Sequence, residues 1–302
     1  MTAEIGGSKE KMLGFFADCA AQGIKLLPPD INISESGFTV EGDNIRFGLL
    51  AIKDTGSAVL GELTMERRLH GPFKDLQDLI ERTISSANKS TLTALIKAGA
   101  LDSFPQTREQ MLAVLPKMLS SASKARKSYN EDQLTLEGSF FCGPEDNPDA
   151  FHFPRMEYPE VPAQTELERL KGELEATGLY ITGHPMDSYK AAVGRKATHN
   201  LLQLTSEGEK VPNSQVRVAG IITGVKTITT KKKLPMAFLT MEDQFSSIEV
   251  TVFPRAYEAY AQQLTEGSAM LVYGKVEDSD FGRKLIADNI SFLSESEADA
   301  PA

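Results

Sequence analysis

Six consecutive residues, Lys53-Asp54-Thr55-Gly56-Ser57-Ala58, carry the first chemistry legible in the chain. A glycine at position 56 accepts φ > 0 without a Cβ clash, so the backbone can turn sharply there. The amides of Gly56, Ser57 and Ala58 then stand at the start of the helix that follows. Orphan N–H groups and the helix dipole both favour an anion, and Lys53 adds positive charge beside them. A phosphate is the natural guest, and Thr55 belongs to the same contact set. Such a contact reads a nucleic-acid backbone, not its bases. A second cluster lies far downstream, where Lys226 and Lys231-Lys232-Lys233 precede Phe238 and Phe253. Positive charge on a loop suits phosphates, and aromatic faces suit bases. Other chemistry is missing from the pattern. His70, His152, His184 and His199 are scattered, and no spacing reads as a metal-ligand set. His184 stands between Gly183 and Pro185 with no nucleophile near it, which suits a turn better than catalysis.

The first turn needs two flanking elements. Phe47, Leu50 and Ala51 repeat at helical spacing before it, and Val59, Leu60 and Leu63 do so after it. Ile45–Arg67 therefore reads as two short helices joined by a tight turn, and resembles a helix-hairpin-helix element. Asp54 stands where that motif usually has its first glycine. Its acidic side chain weakens phosphate affinity or caps the second helix. An ordinary αα-hairpin with a glycine turn is the alternative. Asp75–Arg82 is predicted helical, with Leu76, Leu79 and Ile80 inward. Ser90 is placed to cap a further helix through Leu92, Leu95 and Ile96, closing at Lys97-Ala98-Gly99-Ala100-Leu101. Asp75–Leu101 reads as a second hairpin whose apolar stripe is buried against the first. Lys97 and Gly99 are its candidate backbone contacts, with a plain helix end and glycine stop as the alternative.

Around these hairpins, residues 9–23 form a helix ended by Gly23, and Ile24–Leu27 is a short strand. Gly37–Val40 and Asn44–Phe47 flank a hairpin turn at Glu41-Gly42-Asp43. Arg108–Arg126 is a helix that Pro116 should kink or split. Asn130–Gln164, rich in glycine and proline, reads as a linker. Within it the adjacent aromatics Phe140 and Phe141 need burial, on the parent domain or in a partner's groove. Glu166–Tyr180 is a helix that Thr165 can cap and that Thr182-Gly183-His184-Pro185 ends.

From Gln215 the period changes to two. The first strand runs through Val216, Val218, Gly220 and Ile222, the second spans Pro235–Asp243 and the third Ser247–Phe253. A short helix, Tyr257–Leu264, precedes strands Ala269–Val276 and Lys284–Leu293. Three strands, a helix and two strands is the order of an OB-fold barrel, whose second and third strands commonly face single strands. Arg217 joins Lys226, the lysine run, Phe238 and Phe253 as a candidate single-strand contact. A solvated loop for the lysines and barrel core for Phe253 are the alternatives. The expected fold is multidomain α+β: a helical domain with tandem helix-hairpin-helix elements, then an all-β barrel. The acidic stretch Ser294–Ala302 reads as a disordered tail.

Composition bounds these readings. The 302 residues suggest about two or three compact units. Net charge is −10, which argues against a protein held to DNA by general attraction, so nucleic acid must meet local basic patches. No apolar run approaches the ~20 residues of a membrane span, and the N-terminus has no apolar signal core. Cys19 and Cys142 are too few for a disulfide framework, which fits a reducing cytoplasm.

A series of motifs is more specific than any one hairpin. Pro28-Pro29-Asp30-Ile31-Asn32, IRFGLLAIKDTG from Ile45, Asn88-Lys89, LIKAGALDSF (Leu95–Phe104), GLYITGHPMDSY (Gly178–Tyr189), MAFLTMED (Met236–Asp243) and VTVFPRAYE (Val250–Glu258) occur in this order. Together they resemble the C-terminal part of the bacterial DNA polymerase III alpha subunits. The resemblance implies the end of a fingers domain (1–40), a clamp-binding domain with tandem hairpins (41–129), a linker with an internal clamp peptide (130–164), a helical connector (165–213) and an OB domain (214–293). It implies that Lys53, Gly56 and Ser57 touch the duplex backbone and that Lys231, Lys232 and Lys233 face template. It also implies a sliding-clamp contact at Glu137-Gly138-Ser139-Phe140-Phe141, with Glu137 where glutamine is usual; other replicase subunits are possible partners. No trio of strand-borne carboxylates is present to hold two Mg²⁺ ions. Mg²⁺ and dNTPs would belong to the family's palm, so no cofactor is expected in this chain. It is not expected to polymerise DNA alone, being a piece of a longer polymerase or half of a split one. Two other classes compete: an RNA-binding OB module of the kind appended to tRNA synthetases, and a protein-interaction scaffold. Within the family, an error-prone relative is a further alternative.

Overall fold

The computed structural model describes residues 9–133, 153–205, 215–244, 246–279 and 282–293. The chain divides into two compact units, one drawn mainly from Cys19–Thr182 and the other mainly from Gly183 onward. The first helix, α1 (Lys9–Ala21), is followed by the left-handed Gly23 at φ 75°.

In the first unit, β1 (Leu26–Leu27), β2 (Thr39–Glu41) and β3 (Asn44–Arg46) form a small sheet ordered β1-β3-β2. β2 and β3 are antiparallel, and Gly42 turns between them at φ 59°. β1 lies parallel to β3 and stops before Pro28, which cannot donate to a ladder. The arm before the first functional turn is not an α-helix. Leu49–Ala51 makes one 3-10 turn between extended Gly48 and Ile52. Phe47, Leu49 and Ile52 are nevertheless fully buried. Three residues between a sheet and a turn are too few to nucleate an α-helix, so the apolar side chains bury without its period.

Five helices follow: α2 (Ser57–His70), α3 (Leu76–Thr83), α4 (Lys89–Lys97), α5 (Arg108–Gln133) and α6 (Glu166–Thr177). The cap of α4 is Asn88, not Ser90: its Oδ1 accepts the Thr91 N–H at 3.0 Å. α5 neither splits at Pro116 nor ends at Arg126. Pro116 is exposed, so its ring lies on the solvent side of the helix, clear of the buried face formed by Met111, Leu115 and Met118. Thr165 and Glu168 close a capping box on α6, and this holds the Glu168 carboxyl below its usual pKa through the Thr165 N–H. α6 stops at Gly178 (φ 79°), earlier than the predicted Thr182-Gly183-His184-Pro185, because Gly178 takes the left-handed cap.

In the second unit, His184 caps a 3-10 turn at Pro185–Tyr189, its Nδ1 accepting the Met186 N–H at 3.1 Å. Two short helices that the apolar pattern does not announce follow, α7 (Lys190–Lys196) and α8 (Leu201–Thr205). β4 (Val216–Thr229), β5 (Pro235–Glu242), β6 (Ser247–Val252), β7 (Ala269–Ser279) and β8 (Gly282–Phe292) close a barrel ordered β4-β5-β6-β8-β7. β6 and β8 are parallel and the other pairs antiparallel. The expected order of three strands, a helix and two strands is present. The helix, α9 (Pro254–Tyr260), starts earlier than Tyr257, since a proline in the first turn is already set for helix. Val218, Ile222, Leu239, Met241, Val250, Val272 and Leu285 fill the barrel. Among the described residues no helix is long and apolar enough to cross a membrane.

Candidate nucleic-acid interface

At the first turn the left-handed residue is Asp54, at φ 60°, and not Gly56. Aspartate tolerates this region because its short polar side chain bonds locally. Gly56 is instead the N-cap of α2, extended at φ −70° and ψ 143°, with no side chain to cap the helix. The amides of Ser57 and Ala58 thus open the helix on exposed residues, aligned with the dipole. Thr55 is buried. Its hydroxyl lies 2.5 Å from the Ile52 carbonyl and 3.1 Å from that of Leu49, so it staples the turn from inside. The Thr91 hydroxyl donates to the Asp54 carbonyl at 3.0 Å and ties the turn to the first turn of α4. Sequence reasoning missed this tie, because it joins residues 37 positions apart. Lys53 donates its backbone N–H to Ala176 at 2.7 Å. A Cβ placed on Gly178 would lie 3.6 Å from the Lys53 ammonium, which therefore sits by the C-terminus of α6, where the dipole favours a cation.

The second turn is built differently. Gly99 has φ 81°, and a Cβ there would meet Arg108 Nη2 at 2.2 Å. The Arg108 guanidinium fills the turn. It donates to both Asp102 oxygens at 2.7 and 2.6 Å, to the Lys97 carbonyl at 3.1 Å and to Glu173 at 3.3 Å. Burial works against its charge, and the Asp102 and Glu173 carboxylates overcome that, raising its pKa above the usual guanidinium value. Fully buried Glu173 also accepts the amides of Ile181 and Thr182 and the Thr182 hydroxyl. The Lys97 ammonium pairs with Glu175 at 2.5 Å. An internal ion network thus occupies the second turn, whereas the first presents open amides.

On the barrel, Lys226, Phe238, Thr251 and Ile286 are successive partners across β4, β5, β6 and β8. Their strand neighbours Leu239, Val250 and Val252 point into the core, so this row lies on the outer face. Lys226 is exposed and Phe238 half-buried. Lys231, Lys232 and Lys233 sit exposed at the tip of the β4–β5 hairpin, with Lys233 left-handed at φ 59°. Phe253, at the end of β6, is 47% exposed and so is not barrel core. Arg217 is not brought to this face. It pairs with Tyr273 on the stretch of β4 that joins β7, away from β5. The structure therefore gathers Lys226, Phe238, Phe253 and the lysine tip and separates Arg217 from them. Glu137, Gly138, Ser139, Phe140 and Phe141 lie outside the described residues.

Residues 23–111 match the helix-hairpin-helix motif family, and residues 216–293 match the family of OB-fold nucleic acid binding domains. The chain is 32% identical over 315 residues to the DNA polymerase III subunit alpha of Pseudomonas aeruginosa, covering 98% of this chain and 26% of that protein. Against the same subunit of Neisseria meningitidis it is 34% identical, over 93% of this chain and 23% of the relative. Against that of Mycobacterium tuberculosis it is 31% identical, over 100% and 25%. The chain spans about a quarter of the length of these curated relatives. With a hairpin domain and an OB barrel in one chain, and with similarity along nearly all of it, the chain belongs to the family of DNA polymerase III alpha subunits, to whose C-terminal part it corresponds.

Proposed function

We propose that this chain binds primed DNA for a replicative polymerase, holding duplex backbone at the first hairpin and single-stranded template on the barrel. The observation that carries the reading is the uncapped start of α2, where exposed Ser57 and Ala58 offer amides to an anion. A phosphate accepting from them gains charge-assisted bonds without side-chain ordering, and the Thr55 and Thr91 hydroxyls hold the turn in place beforehand. Exposed Lys53, three residues before Gly56, adds positive charge close to the turn. On the barrel, the lysine tip neutralises phosphates while Phe238 and Phe253 offer faces to bases. In this reading the chain supplies grip and placement, while catalysis and its cofactors lie elsewhere. A sliding clamp is the proposed protein partner through Phe140 and Phe141, and loss of clamp binding in the F140A/F141A variant is its test.

The test of DNA binding is fluorescence anisotropy of the chain with labelled single-stranded, duplex and primed-junction DNA over a salt series. Junction preference with a steep salt slope is expected. No binding to any of the three at low salt refutes the reading and favours a protein scaffold. Preference for tRNA over primed DNA favours an RNA-binding OB module.

A further inference from the structure

Beside the strand face, α9 and β8 enclose a cleft of about 500 Å³, a volume typical of small-molecule sites. Its walls include Phe253, Arg255, Ala259, Tyr260, Ile286 and Asp288. Ile286 is also the last member of the row Lys226–Phe238–Thr251–Ile286, so cleft and strand face are continuous. Phe253 exposes much of its ring at the entrance. Arg255 is exposed and has no ion-pair or hydrogen-bond partner among the described residues. The polar wall is already positioned: Tyr260 donates to Asn289 at 2.5 Å, and Asp288 accepts from Gln215 at 2.8 Å. Small Ala259 on the helix side leaves the space open.

We propose that this cleft receives the base of one nucleotide from a single strand crossing the β5–β6 face. Phe253 is the stacking platform and Arg255 the partner of the adjoining phosphate. A cleft with the exposed Phe253 ring and Ile286 on one side, hydrogen-bonding groups of Tyr260 and Asp288 on the other and an unpaired guanidinium matches a nucleotide's own division into a flat base with polar edges and an anionic link. The proposal rests on the single-strand reading of the barrel.

The full chain and three variants, Phe253→Ala, Ala259→Leu and Arg255→Ala, are titrated with a labelled oligothymidylate and with an abasic strand of equal length. Ala259→Leu fills the cleft at an exposed helix position and removes no contact group. Both F253A and A259L should weaken binding of the base-bearing strand about tenfold and leave the abasic strand unchanged. R255A should weaken both strands and flatten the single-strand salt slope by about 0.7. If the parent chain prefers base-bearing strand but F253A and A259L bind it as well as the parent, the cleft proposal falls and the single-strand reading stands. Equal parent affinity for the two strands also overturns the cleft. If the parent binds no single strand at low salt, the single-strand reading fails and the cleft proposal fails with it.

Discussion

Arg108 and Glu173, 65 positions apart in sequence, meet with guanidinium nitrogens 3.3 Å from the Glu173 carboxylate, which is fully buried. The pair ties the α4–α5 turn to α6 and to the Ile181–Thr182 backbone that Glu173 also accepts from. Removing one partner strands a buried charge. Glu173→Ala should therefore destabilise the chain by about 3–5 kcal/mol. The Arg108→Met, Glu173→Met double variant should lose less than the two single variants summed. Urea unfolding of the parent, Glu173→Ala, Arg108→Met, Glu173→Met and the double variant measures both quantities, and a cost near zero for Glu173→Ala would show that this network does not stabilise the fold.

The phosphate site at the first turn can be altered without breaking its helix. Ser57 is the first residue of α2, where proline is tolerated, and Gly56 before it already has an extended backbone compatible with a following proline. Ser57→Pro deletes one candidate donor. Helix content by circular dichroism should be unchanged, and duplex affinity at low salt should fall several-fold, about 1 kcal/mol for one lost bond. Unchanged duplex affinity would assign the grip to other residues.

Thr251 is 4% exposed, and its hydroxyl has no hydrogen-bond partner among the described residues. Valine has nearly the same shape and no polar atom to desolvate. Thr251→Val should raise stability, by about 1 kcal/mol, measurable as an upward shift of the urea midpoint with an unchanged slope. A loss of stability would mean that the hydroxyl is satisfied in the folded protein.

The Tyr158 hydroxyl is likewise buried without a partner, and burial together with the Asp75 carboxylate pushes its pKa from 10.0 to about 12. The folded state thus holds this proton more tightly than the unfolded chain. Its contribution to stability is fully present below about pH 10 and is lost as pH rises from about 10 to about 12. Comparing urea midpoints of the parent and Tyr158→Phe across this window isolates the residue from the other tyrosines. The parent should lose stability more steeply, and parallel curves would show that Tyr158 titrates normally.

Local pattern by itself determined the barrel and most of the helical frame. Alternation from Val216 onward, broken once by a short helix, gave the strand order, because a half-buried strand must repeat every second residue. The Thr165 cap and the apolar stripes of α3 and α4 were equally legible, since a cap and a helical face are properties of a few adjacent residues. Tertiary structure decided the rest. It placed the left-handed residue at Asp54 rather than at Gly56, because the Thr91 bond and the Thr55 staple outweigh glycine's freedom. It filled the Gly99 turn with Arg108 and drew Lys97 to Glu175, partners lying on elements far along the chain. It brought Phe238 and Phe253 near the lysine tip but left Arg217 on the β7 side, since strand register and not strand membership sets neighbours on a closed sheet. Periodicity reports which side of an element is buried, and only the packed chain reports what that side meets.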